Sequence, residues 1–161
     1  MAHDDSLVPV MDGSCWSDFC DALKRAGEQV LRDDVPGDPF TRAEGFRYLS
    51  RLLRLGLEKH IEFSDPRFPR FYSLSHETAK IGNDNPDNLY LNCAISGRYD
   101  YLIRGERGSV PYLSIETRAG SYGTTGDMAL TGHVELDELA VDKYGRFELV
   151  VDRKSTRLNS S

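Results

Sequence analysis

Leu89-Tyr-Leu-Asn-Cys-Ala-Ile-Ser-Gly-Arg-Tyr-Asp-Tyr-Leu-Ile-Arg-Gly105 decides the fold class, because here the apolar period falls from the helical value to two. Leu89, Leu91, Cys93 and Ile95 alternate with Tyr90, Asn92 and Ala94, which predicts a strand with one buried face. Ser96-Gly-Arg98 then turns into a second strand over residues 99–104. Gly105-Glu-Arg-Gly108 turns again into a third over residues 110–118, where Pro111 favours a strand start or an edge. A glycine-rich loop over residues 119–128 precedes a strand at 130–135. Residues 139–141 and 146–151 are expected to pair as a hairpin across Asp142-Lys-Tyr-Gly145. The reading is a meander of short antiparallel strands.

Upstream, the period is helical. Trp16, Phe19, Cys20, Leu23, Val30 and Leu31 predict an amphipathic helix over residues 14–33, with Ser14 or Ser17 as the N-cap. Pro36 and Gly37 stop it. Asp38-Pro39 restarts a helix, a capping side chain followed by proline at the first helical position. Phe46, Leu49, Leu52, Leu53, Leu57 and Ile61 form its apolar stripe to about residue 60, and Gly45 and Gly56 suggest close approach of another element. Residues 62–88 read as an extended arm pinned by Phe63, Phe68, Phe71 and Tyr72. The expected organisation is a disordered arm at 1–13, a helical region at 14–61, and an extended arm with the β-meander at 62–151. The fold class is α+β: N-terminal helices packed on an antiparallel sheet, an incomplete β-sandwich.

The last ten residues, Asp152-Arg-Lys-Ser-Thr-Arg-Leu-Asn-Ser-Ser161, resemble the in-frame translation of a short-read sequencing adapter. Residues 152–161 are therefore expected to be a non-native tail, and the natural polypeptide to continue beyond Val151. A natural polar tail is the alternative reading. The formal charge of the chain is −6, and removing the tail's net +2 leaves −8. An acidic surface repels phosphate backbones, so no nucleic-acid partner is expected. No apolar run suits a bilayer and no basic-then-apolar leader opens the chain, so no membrane partner is expected and the cytoplasm is the default. Cys15, Cys20 and Cys93 lack metal or redox spacing and read as small buried hydrophobes in a reducing compartment.

The densest set of oxygen ligands is Asn83-Asp-Asn-Pro-Asp-Asn88. It lacks the glycine and the distal glutamate of an EF-hand, so it reads as a structural turn launching the Leu89 strand, with a binding-site rim as the alternative. Asp84, Asp87 and Glu116 could form a carboxylate set for acid–base or sugar chemistry, although they read first as solvated turn and strand-face residues. His3, His60, His76 and His133 show no zinc spacing, and no metal or cofactor is expected. His60 would favour the dipole at a helix C-terminus. Ser75-His76-Glu77 invites a nucleophile reading, but sequence neighbours rarely face one another, and no G-x-S-x-G elbow exists. Gly120-Ser-Tyr-Gly-Thr-Thr-Gly126 lacks the P-loop lysine and reads as a mobile connection in which Tyr122, Thr124 and Thr125 could gate a pocket. Tyr90, Tyr99, Tyr101 and Tyr112 are expected on successive strands, packing a sheet face or offering a platform for sugars and aromatic ligands.

Three stretches carry a family resemblance: Gly45-Phe-Arg-Tyr-Leu-Ser-Arg-Leu-Leu53, Gly82-Asn-Asp-Asn-Pro-Asp-Asn-Leu-Tyr90 and Tyr101-Leu-Ile-Arg-Gly105. With the turn at residues 142–147, they resemble bacterial proteins that carry the uncharacterised "domain of unknown function 1214", over residues 41–151. The resemblance implies a longer protein whose named domain is C-terminal and β-sandwich-like. It supplies no catalytic motif to place on these residues.

Two function classes follow. The first is a small-molecule or carbohydrate-binding domain, with Asn83, Asp84, Asp87, Tyr90, Tyr101, Glu116 and Tyr122 as candidate ligand-binding residues. The second is a structural or assembly module without chemistry of its own, for which a homo-oligomer is a natural state. The N-terminal part of an enzyme whose active site lies beyond Val151 is a further alternative.

Overall fold

The computed structural model describes residues 7–121, 125–152 and 159–160. The chain is α+β and divides into two compact units. One comprises Met1–Asp65 with Pro69–Ala94, and the other Pro66–Phe68 with Ile95–Ser161. The first holds the helices, α1 (Val8–Met11), α2 (Ser14–Glu28) and α3 (Pro39–Leu57). The second holds the strands, β1 (Tyr101–Glu106), β2 (Ser114–Gly120), β3 (Met128–Glu135), β4 (Arg146–Val151) and β5 (Asn159–Ser160). Among the described residues, no helix is long and apolar enough to cross a membrane.

The first unit forms where local signals are strong. Asp38 caps α3, its Oδ1 accepting from the Thr41 N–H at 3.0 Å, and Pro39 opens the first turn, as the sequence predicts. The α3 axis continues through a π-turn at Glu58–Glu62, which holds His60. The α2 helix ends at Glu28 and tightens into a 3-10 turn at Gln29–Leu31, short of the expected residue 33. Its cap differs too. Gly13, at φ 79°, occupies the cap position, and Asp12 Oδ1 accepts from the Ser14 N–H at 2.9 Å, so neither serine supplies the oxygen. Within the stretch expected to be disordered, residues 8–11 form the helical turn α1, with Pro9 at its start. A methyl at Gly45 would meet Val30 Cγ1 at 2.6 Å, which is the close approach anticipated there, whereas nothing lies within 4 Å of one at Gly56. The cysteines are free. Cys15 is exposed rather than buried because α2 turns that face outward, and Cys20 and Cys93 are half-buried.

The arm that follows is pinned in part: Phe63 and Tyr72 stack at 5.0 Å, and Arg70 lies over the Phe63 ring at 5.0 Å. The Leu89 segment is the largest correction. It forms no strand. One isolated bridge joins Tyr72 and Asn92, with bonds of 2.9 and 2.7 Å, and Leu89 is 79% exposed. Alternation states which face a strand would bury, but a ladder needs successive partners. Among the described residues, only Asn92 of the Leu89 segment exchanges backbone bonds, with Tyr72, so the segment has no ladder to join.

In the second unit, β1 pairs antiparallel with β4 over all six residues, Tyr101↔Val151 through Glu106↔Arg146, and β5 joins the other side of β4 at Leu149 and Val150. The β2 and β3 strands form a separate antiparallel pair with an irregularity between Thr117 and Arg118. The expected meander is thus not formed, since β1 passes over its sequence neighbour to take β4. Nor do residues 139–141 form a strand. A 3-10 turn at Leu136–Glu138 reverses the chain after β3, and Leu139 enters the core. The turn before β4 is as read. Asp142 Oδ1 accepts from the Tyr144 and Arg146 amides at 2.8 and 2.9 Å, and Gly145 takes φ 79°. Gly105 lies inside β1 rather than in a turn, and the Phe147 ring packed over it leaves no room for a Cβ.

One core serves both sheets of this unit. Val134 of β3, Phe147 and Leu149 of β4, and Leu139 are buried together, with Ile103, Leu113, Ile115 and Val151 packed around them. Leu149 is fully enclosed.

Candidate functional site

The Asn/Asp loop satisfies itself. Asn83 adopts the left-handed region at φ 63°, which asparagine tolerates because its side chain bonds locally. Asn85 Oδ1 accepts from the Asp87 amide at 3.0 Å, and the Tyr90 hydroxyl accepts from the Asn85 amide at 3.2 Å and Asn88 Nδ2 at 3.4 Å. Asp87 and Tyr90 are therefore parts of a turn. Asp84 is different. Its side chain is 8% exposed, and the Lys80 ammonium sits 3.2 Å from its carboxylate. The Ser75 hydroxyl, and then Lys80, hold this carboxyl below its ordinary value against the opposing effect of burial. Ser75 Oγ is itself buried and makes no hydrogen bond of regular geometry among the described residues. Ser75 and Lys80 were not among the predicted site residues. The Ser75-His76-Glu77 signal drew attention to the right serine with the wrong partner, since His76 Nε2 meets Arg54 Nη2 at 2.9 Å.

The other candidates lie in the strand-bearing unit. Tyr101 opens β1, and its hydroxyl donates to the Pro66 carbonyl at 3.0 Å while accepting from the Ser96 amide at 2.8 Å. Glu116 pairs with its strand neighbour Arg118 at 2.7 Å and stands opposite His133 in the β2–β3 register. Asp84 and Asp87 thus fall in one unit and Glu116 in the other. Tyr122 and Thr124 lie outside the described residues; Thr125 Oγ1 is taken up by the Ser121 carbonyl at 3.0 Å. The tyrosine row does not form. Only Tyr101 of the four is in a strand, because the segments holding Tyr90, Tyr99 and Tyr112 remain loops. Tyr99 and Tyr101 meet edge to face at 6.4 Å, and Tyr101 already uses its hydroxyl.

Two arrangements resemble chemistry and fail its geometry. Ser114 Oγ lies 3.1 Å and Glu135 Oε1 2.9 Å from the same His133 nitrogen, Nε2. A serine–histidine–carboxylate relay needs the two partners on opposite ring nitrogens. Cys93 is half-buried, and that burial pushes its thiol up, away from the thiolate a nucleophile requires. Among the described residues, no three His, Cys, Asp or Glu side chains are placed to hold a metal. A groove of about 440 Å³ runs along Ala140, Val141, Asp142, Arg146, Phe147 and Glu148.

No family model and no curated protein matches the chain. Among solved structures, it is similar to the crystal structure of an uncharacterised protein from Burkholderia cenocepacia, with a TM-score of 0.84 and 50% sequence identity. The match covers 95% of this chain and 43% of that one, so the chain spans less than half the length of that protein.

Proposed function

We propose that this chain is an assembly module without catalytic chemistry, whose helical surface is made to be covered by further protein. One observation carries the reading. No residue of α2 is buried and only Leu55 of α3 is, while Trp16 is 69% and Phe40 74% exposed. Amphipathic helices in proteins draw most of their stability from packing the apolar face. Exposed apolar surface on this scale marks an interaction surface. The small-molecule and carbohydrate reading loses the tyrosine row and keeps the Asn/Asp loop and the glycine-rich loop as its motivation. The same proposal takes the protein to be bacterial and cytoplasmic and keeps the resemblance to the domain of unknown function 1214.

Light scattering at micromolar concentration tests the reading. Self-association is expected, and thermal shifts against a panel of sugars and aromatic compounds should be absent. A monodisperse monomer with a cooperative melt would contradict it.

A further inference from the structure

The outer edge of β1 carries its own instructions for a partner. Arg107 donates its amide to the Gly145 carbonyl at 2.8 Å, in register with the β1–β4 ladder. Antiparallel pairs alternate between hydrogen-bonded and non-bonded, so Gly105, Ile103 and Tyr101 point their backbone groups at β4. Leu102, Arg104 and Glu106 therefore point theirs away from it. On that side β1 has no neighbouring strand among the described residues. The same three residues hold the exposed face of the strand.

Edge strands usually protect themselves with charged side chains, lysine especially. Here Arg104 and Glu106 stand two residues apart with opposite signs, which makes the edge complementary to itself. Each also faces an opposite charge within the sheet: Arg104 bonds Glu148 at 2.7 Å, and Glu106 is in register with Arg146.

We propose that β1 pairs antiparallel with β1 of a second copy of this chain across a two-fold axis at Gly105. In that register Arg104 faces Glu106 of the partner subunit, and both such pairs exchange backbone N–H and C=O groups. The charges along each row then run Glu148, Arg104, the partner's Glu106 and the partner's Arg146, alternating throughout. A register shifted by one pair sets Arg104 against itself, so the charges select the first. Gly105 brings no side chain to the axis. This inference rests on the assembly reading and names one of its partners, as an isologous contact.

Sedimentation velocity at tens of micromolar, on the chain as given, tests it. A dimer is expected. Glu106→Pro removes an outward N–H that the β1–β4 ladder does not use, a position where an edge strand tolerates proline. It should weaken the dimer at least about tenfold, with circular dichroism unchanged. Should proline disturb folding, charge reversal gives the same answer. R104E with E148R keeps the internal pair but sets glutamate against the partner's Glu106, and should yield monomer. Adding E106R and R146E restores alternation and should restore the dimer. Association undiminished by both changes sinks the β1 contact and leaves the helical reading standing. A wild-type monomer at all concentrations sinks both.

Discussion

The two units bury apolar residues in opposite ways. The strand unit gathers Val134, Leu139, Phe147 and Leu149 into one cluster from a few short elements. The helical unit contains α2 and α3, yet among its described residues it buries only Leu55 and Ala79. Short strands share a core because each projects alternate residues into it. A long helix offers a stripe that is stable only once something lies along it. The second unit is therefore organised from within, whereas the first leaves its helical stripes largely uncovered, which is the ground of the assembly proposal.

The sharpest way to break this contrast is at Leu149, which is fully enclosed. Leu149→Ala should cost about 2–5 kcal/mol in denaturant unfolding, through lost transfer and a residual cavity. Gly105→Ala should cost about 1–3 kcal/mol by overpacking, since its methyl must displace the Phe147 ring. A substitution within about 0.5 kcal/mol of wild type at Gly105 would mean that β1 and β4 are less tightly registered than described. On the helical side the expectation reverses. Trp16→Ser and Phe40→Ser should leave monomer stability within about 0.5 kcal/mol while visibly lowering light scattering, because both side chains are mostly exposed and Trp16 touches Phe19 of its own helix.

Acid should weaken both units at their turns, and the effect is the smallest of the set. Hydrogen bonds from Thr41 hold the Asp38 carboxyl below its ordinary value, and the amides of Arg146 and Tyr144 do the same for Asp142. A carboxyl depressed in the folded state contributes stability that is present above its unfolded value, about 3.9, and is lost as pH falls through the folded one. Melting temperature should accordingly fall below about pH 4, and less steeply in Asp142→Asn than in wild type. Equal slopes would remove Asp142 from this account.

What the sequence made legible was local. The α3 helix is announced by Asp38-Pro39 and its stripe, and the Asp142 turn by its residue types, because cap and turn bonds span a few positions. Choice of partner was not legible. Leu89-Tyr-Leu-Asn-Cys alternates like a strand and finds one bridge, while Tyr101-Leu-Ile-Arg-Gly finds β4 from far along the chain. Gly105 looked like a turn residue because the Phe147 ring that excludes a side chain there is remote in sequence. The candidate site divides in the same way. Asp84 stood out by composition, but the Ser75 hydroxyl that shapes its environment becomes its neighbour only through the fold.

Hydrogen exchange on the chain at submicromolar and at tens of micromolar concentration tests the contrast between the units most directly. The account predicts that the β1–β4 amides directed into the ladder, those of Ile103 and Gly105 among them, are strongly protected at both concentrations. It predicts that α2 and α3 exchange quickly in the dilute sample and gain protection in the concentrated one. Helical amides as protected as those of β4 in the dilute monomer would contradict it.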